Sequence, residues 1–209
     1  MSLRCWTRRE GLLGLASLGA SCLPLQAHAG GQLEEPMADA VRGALRRAIE
    51  SAGPPNHDLL PAGSRERFTR WSRDVGPRLA NQKRHPLERA EFLETVWYYA
   101  VRQGLDPTMV MGVVQVESAF RKYAISSVGA IGYMQVMPFW ARLIGNGDPG
   151  LLFQLNANIS FGCVILRHYL DRERGDTFMA LGRYNGSRGR PAYPNAVYAA
   201  MRRWAHPDA

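Results

Sequence analysis

An all-α fold, a compact bundle rather than a coiled coil, is what this 209-residue sequence predicts. Three observations carry that expectation. Apolar residues recur at three- and four-residue spacing in segment after segment, the period of one helix face. Pro, Gly and Asp stand where helices would start and stop. No stretch sustains the alternation of a strand, and no unit repeats along the chain. Apolar residues make up 46% of the chain and charged residues 21%, which excludes a chain disordered over most of its length. No run approaches the ~20 apolar residues of a membrane-spanning helix, so no integral membrane segment is expected in the mature chain.

Residues 1–29 read as an export address. Arg4, Arg8 and Arg9 make a basic start, and Gly11 to Leu25 is apolar and small. That core is too short to span a bilayer and has the length of a signal peptide. Ala27-His28-Ala29 fits the cleavage rule and leaves Gly30 as the new N-terminus. Thr7-Arg8-Arg9 with Leu12 and Leu13 resembles a twin-arginine signal, although Gly11 replaces the usual large apolar residue. Leu18 to Cys22 is faintly similar to a lipoprotein box, which makes lipid anchoring at Cys22 the lesser alternative. The expected compartment is the periplasm. The mature chain then keeps one thiol, Cys163, so a disulfide scaffold is excluded.

The elements follow in order. Met37, Val41, Leu45 and Ile49 mark one apolar helical face. Gly53 to Gly63, with three prolines, is a linker. Phe68, Trp71, Val75 and Leu79 repeat the helical spacing, with a bend expected at Gly76-Pro77. Pro86 opens a third helix with a wide stripe from Phe92 to Val101, and Gly104 stops it. Asp106-Pro107 restarts the chain as N-cap and first helical residue. Met109 to Glu117 is apolar nearly all round and predicts a buried helix. After a loop rich in Ser and Gly, Pro138 opens a short helix ending near Gly145. Asn156 to Arg174 is a long helix, Asp176 caps another, and Pro194 opens the last. Residues 30–85 form an N-terminal helical extension to this bundle. They wrap it or dock a partner; a cell-envelope or secretion-machine partner is not identified by these residues.

Lys and Arg together exceed Asp and Glu by a formal +8, or +6 once residues 1–29 are removed. An acidic partner fits: nucleic acid, anionic lipid or a wall polymer. A soluble protein with a charged face fits equally well. No nucleic-acid recognition motif is present, so no nucleic-acid partner is expected. His28, His57, His85, His168 and His206 are scattered without ligand spacing. Neither a metal nor a cofactor is expected.

Glu117 ends the apolar helix, with Val113 and Val114 one turn back on its own face. Desolvation among valines favours the neutral carboxyl, and the C-terminal end of the helix dipole pushes the same way. The resulting rise in pKa suits a general acid near neutrality. A helix-end Glu turned to solvent or paired with Arg121 is the plainer alternative. From Ser118 through Gly147 there is no Asp or Glu. That segment instead offers Tyr123, Ser126, Ser127, Tyr133, Gln135 and Met137, groups that bond hydroxyls and cover the apolar faces of sugars. Ordinary glycosidases use two carboxylates at fixed separation. Only Asp148 or Asp171, brought in by the fold, would supply a second, so a single-carboxylate mechanism fits better.

Five ordered motifs carry a resemblance. Glu117-Ser118-Ala119-Phe120, then Ala124-Ile125-Ser126, then Gly129 through Pro138 closely resemble the soluble lytic transglycosylase family. Asn158-Ile159 with Gly162, and Ala180-Leu181 leading to Tyr184-Asn185-Gly186, agree with it. The resemblance covers residues 86–206 and implies a lysozyme-like, goose-type helical domain. It implies cleavage of the β-1,4 bond between N-acetylmuramic acid and N-acetylglucosamine in peptidoglycan, giving a 1,6-anhydro end without water. Glu117 matches the catalytic acid/base. Ser126, Gln135 and Met137 match residues of the glycan cleft, and Tyr184 matches the tyrosine that positions the acid and the N-acetyl group. Asn185 is placed with the substrate-binding set, holding the turn beneath that tyrosine.

Plainer roles stand beside these: Ser126 as a turn cap, Tyr184 as a core ring, Met134 and Met137 as core. Two departures bear on substrate preference. Tyr133 stands where the family has Leu, predicting a stacking ring or a different lip to the groove. Asn185-Gly186-Ser187 replaces the commoner Asn-Ala-Gly. The alternatives to the transglycosylase are a muramidase on the same scaffold and a non-catalytic glycan-binding or secretion-assembly protein.

Overall fold

The computed structural model describes residues 32–209; the predicted leader, with Cys22 and the cleavage site at Gly30, lies outside the described residues. Among them, eight α-helices and two short 3-10 turns, His57–Leu59 and Pro149–Phe153, make up the regular structure. No sheet is present among these residues, and strand-like pairing is confined to single bridges at Ile125–Ile131 and Ile131–Val136. The all-α expectation holds.

α1, Asp39–Glu50, lays Val41, Leu45 and Ile49 on the core, with Met37 just ahead of it, and packs on α5 and α6. α2, Ser64–Leu79, runs through Gly76-Pro77 and stops two residues later. So late in a helix the proline removes one hydrogen bond and ends the segment within a turn. α3, Pro86–Arg102, buries six consecutive side chains in its second half, from Thr95 to Ala100. Its end is a Schellman motif: Gly104 takes φ +62°, Leu105 N–H bonds Ala100 O at 2.8 Å and Gly104 N–H bonds Val101 O at 3.0 Å.

α4, Pro107–Ser118, is capped by Asp106, whose carboxylate accepts the Thr108 N–H at 2.6 Å. It is buried almost all round, as its composition predicts. α8, Ala192–Trp204, crosses it closely at Gly112. A Cβ there would stand 2.8 Å from Met201 Cγ and 3.1 Å from the Val197 carbonyl oxygen. α5, Pro138–Ile144, ends at Gly145. α6, Leu155–Arg172, ends before the left-handed pair Arg174 and Gly175. α7, Thr177–Asn185, is capped by Asp176. α8 begins two residues ahead of the predicted Pro194. A proline in the first turn is tolerated because the N–H it lacks has no acceptor inside the helix.

Trp71, Trp97, Trp140 and Trp204 are wholly buried, with Phe92, Tyr98 and Phe161 among them. Cys163 is also wholly buried, and burial pushes its thiol pKa up, so it acts as an apolar core side chain. The described residues hold no helix long and apolar enough to cross a membrane.

Candidate active site

Glu117 sits in the last turn of α4 and is 5% exposed. The Tyr193 hydroxyl, from the first turn of α8, donates to its Oε1 at 2.6 Å. Its Oε2 is buried with no hydrogen-bond partner among the described residues. Burial pushes the carboxyl pKa up to about 8, against the opposing hydrogen bond from Tyr193. Among the described residues no other carboxylate contributes to that shift. The group therefore carries a proton at neutral pH and offers one oxygen without a partner.

The chain after Glu117 turns sharply. Ala119 and Phe120 take φ of +49° and +63°, and Gln135 takes +47°. Left-handed residues other than glycine are strained, and such strain persists where surrounding bonds over-determine the backbone. Here those bonds are visible. Ser118 Oγ bonds the Tyr133 carbonyl at 2.7 Å, tying the end of α4 to the segment 131–137. Asn158 on α6 accepts the Met134 N–H at 2.8 Å and donates to Ile131 O at 2.9 Å and Leu152 O at 2.8 Å. Gly132 (φ +77°) and Gly162 admit this packing: a Cβ on Gly132 would lie 2.7 Å from Leu152 O, and one on Gly162 would collide with Met134 Sδ. Met134 is thereby a core residue.

The predicted site residues fall around this segment. Tyr184 on α7 is wholly buried and donates to Met134 O at 2.8 Å. Burial raises its pKa well above the usual value, and the nearby Glu117 charge adds to the rise. Gln135 Nε2 donates to Gly132 O at 2.9 Å and Ala124 O at 3.1 Å, so the amide nitrogen braces the loop that carries it. Ser126 Oγ accepts the Ala130 N–H at 3.0 Å, a turn-capping bond. Met137 is half-buried just ahead of α5. Asn185 ends α7, is buried, and accepts from Ser187 Oγ at 3.0 Å beside the left-handed Gly186.

Tyr133 differs from its expectation. It is 4% exposed, its ring lies 5.1 Å from that of Phe92, and its hydroxyl accepts from Lys83 Nζ at 2.7 Å. Packing against the Phe92 ring draws Tyr133 inward, so it is not an exposed stacking surface.

Four residues here carry no local sequence signal. Tyr193 is 76 positions from Glu117. Gln32 is buried and its Oε1 accepts the Met137 N–H at 3.2 Å. The same segment is pinned by Glu35, which pairs with Arg172 and with Arg183 (2.7 Å). Lys83, 50 positions from Tyr133, is the fourth.

Tyr193→Phe tests the electrostatics directly. Loss of a hydrogen bond to the charged carboxylate, worth about 1.5–3 kcal/mol, raises the Glu117 pKa further. The alkaline limb of kcat/KM should move up by about 1–2 pH units. A uniform loss of rate with an unmoved limb would reduce Tyr193 to a packing residue.

Residues 94–201 match the family model described as "Transglycosylase SLT domain". A transglycosylase of Enterobacteria phage PRD1 is 38% identical over 96 residues, covering 46% of this chain and 35% of that protein. A membrane-bound lytic murein transglycosylase C of Histophilus somni (strain 2336) is 37% identical over 129 residues, covering 54% and 35%. The matched region thus spans about a third of these curated relatives. An inactive mutant of the lytic transglycosylase Slt from Pseudomonas aeruginosa, solved by X-ray crystallography, is similar over 85% of this chain and 33% of its own. Its TM-score is 0.43 and its identity 21%.

Proposed function

This chain belongs to the transglycosylase SLT family, and from that premise we propose that it is an exported lytic transglycosylase acting on peptidoglycan. The observation that carries the reading is Glu117: one buried, protonated carboxyl with an oxygen to spare and no second carboxylate contributing to its shift.

In this reading the Glu117 proton passes to the glycosidic oxygen as the bond from that oxygen to the muramyl anomeric carbon breaks. The muramyl 6-hydroxyl oxygen then bonds that carbon, and its proton returns to Glu117. The products are a 1,6-anhydro-muramyl end and a free 4-hydroxyl, with no water consumed. A substrate-assisted route of this kind dispenses with the second carboxylate of ordinary glycosidases, in keeping with the acid-free stretch 118–147. Tyr193 holds the carboxyl, and Tyr184 braces the Met134 backbone beside it. Ser126, Gln135, Met137 and Asn185 shape the cleft for the glycan. Residues 1–29 direct export to the periplasm, 30–85 form the helical extension, and 86–206 are the catalytic domain.

Mass spectrometry of peptidoglycan products tests the reaction type. Muropeptides one water lighter than hydrolysis products are expected. Reducing ends of full mass would make the protein a muramidase, and no product at all would favour a binding role.

A further inference from the structure

We infer that the groove lined by Lys83, Glu88, Glu91, Lys122, Tyr123 and Tyr133 is a binding site for a zwitterionic amino-acid end, presented by the peptide that the glycan carries. The identification of that peptide rests on the peptidoglycan reading above; the zwitterion chemistry of the groove does not.

The groove has a volume of about 410 Å³, within the range of small-ligand sites. It adjoins the catalytic helix through the chain itself. Ser118, next to Glu117, bonds the backbone carbonyl of Tyr133, and the hydroxyl of that same Tyr133 accepts from Lys83. Tyr133 is at one of the two places that depart from the family pattern. Its partner comes from the N-terminal extension, so the site joins the two parts of the chain.

Lys83 is the unusual group. It is 8% exposed, and its Nζ lies 4.6 Å from the centre of the Tyr133 ring and 5.2 Å from that of Phe92. An ammonium has three donors, and among the described residues only the Tyr133 hydroxyl takes one. No ion pair forms with it there: Glu88 and Glu91 act on it through their field, while burial lowers its pKa. A buried cation with donors left over is costly unless something accepts from them. Lys122, exposed and also lining the groove, adds a second positive charge. Glu88 and Glu91, three residues apart in the first turns of α3, are both exposed and supply a negative wall.

The occupant must therefore offer an anion to the lysines and a cation to the glutamates. Neutral amino sugars use neither sign of charge. A residue carrying an ammonium and a carboxylate on one carbon meets both signs, and peptidoglycan stem peptides hold such a residue where a diamino acid is built in. Tyr123, 71% exposed at the rim, provides a ring for the intervening apolar chain.

The test is titration of the full-length Glu117→Gln protein with a soluble stem tetrapeptide containing meso-diaminopimelate, read by NMR. Saturable shifts at Tyr123 and Tyr133 are expected. They should weaken at least tenfold in Lys83→Met, in the exposed double variant Glu88→Gln/Glu91→Gln, and with a peptide amidated at the diamino-acid carboxylate. A second readout is the kcat/KM ratio of the catalytically intact protein on peptide-bearing over peptide-stripped glycan. That ratio should fall at least tenfold in the glutamate double variant, which carries no folding risk from burial. Absence of saturable peptide binding, or an unchanged ratio, overturns this proposal while leaving the catalytic reading standing. Saturable binding with no turnover of either glycan does the reverse.

Discussion

Glu117→Gln is expected to lower peptidoglycan turnover by about 10²–10⁴-fold, the range contributed by a positioned acid/base, and at the same time to stabilise the fold at neutral pH. Both effects come from one fact, the burial of a carboxyl that is protonated up to about pH 8. The unfolded chain releases that proton near pH 4.3 (about the model-peptide value). Between the two values folding takes up a proton. The folded state therefore loses stability by ~1.4 kcal/mol per pH unit as pH rises through that window. Below pH ~4.3 both states are protonated and the penalty vanishes. Glutamine has nothing to ionise and can still accept from Tyr193.

Denaturant midpoints of both proteins at pH 4 and pH 7.5 check this. Near-equal stability is expected at the lower pH, and an advantage of about 2–4 kcal/mol for the variant at the higher. An advantage independent of pH would mean that Glu117 is not the group that titrates. Substantial residual turnover would remove it from the acid/base role.

Asn158→Ala should cost about 3–5 kcal/mol. The side chain is fully buried and satisfies three backbone groups at once: the Met134 N–H and the Ile131 and Leu152 carbonyls. Each buried group left without a partner costs about 1–3 kcal/mol. Activity should fall by more than the unfolded fraction explains, because the freed segment carries Tyr133, Gln135 and Met137 and receives the Tyr184 hydroxyl. Urea unfolding beside turnover per folded molecule measures both. A loss under 1 kcal/mol would show that this segment is held by other contacts.

Legibility in the sequence differs sharply from element to element. Asp106-Pro107, Gly104 and Asp176 act on the residues next to them, and each cap is found where the sequence puts it. The start of α8 is displaced because a first-turn proline permits a helix to begin before it as well as at it. Of the two outcomes expected for Tyr133, an exposed stacking ring is not found: the ring is buried against Phe92, 41 residues away in the chain, and lines a groove from within. Ser126 Oγ and the Gln135 amide nitrogen are engaged with their own loop, a matter of backbone path that residue identity does not disclose.

By itself, then, the sequence determined the helical class, nearly every cap, the buried character of α4 and the lone carboxyl at its end. Those properties follow from composition and from spacings within a few turns of helix. Tertiary structure alone decided that Tyr193 holds that carboxyl, that Asn158 binds three backbone groups, and that Lys83 meets Tyr133 over a charged groove. Apart from the Asn158–Leu152 bond, these pairs join residues 24 to 76 positions apart. Such pairs are set by how helices cross and where loops close, and hydrogen bonds and burial register them only once the chain has packed.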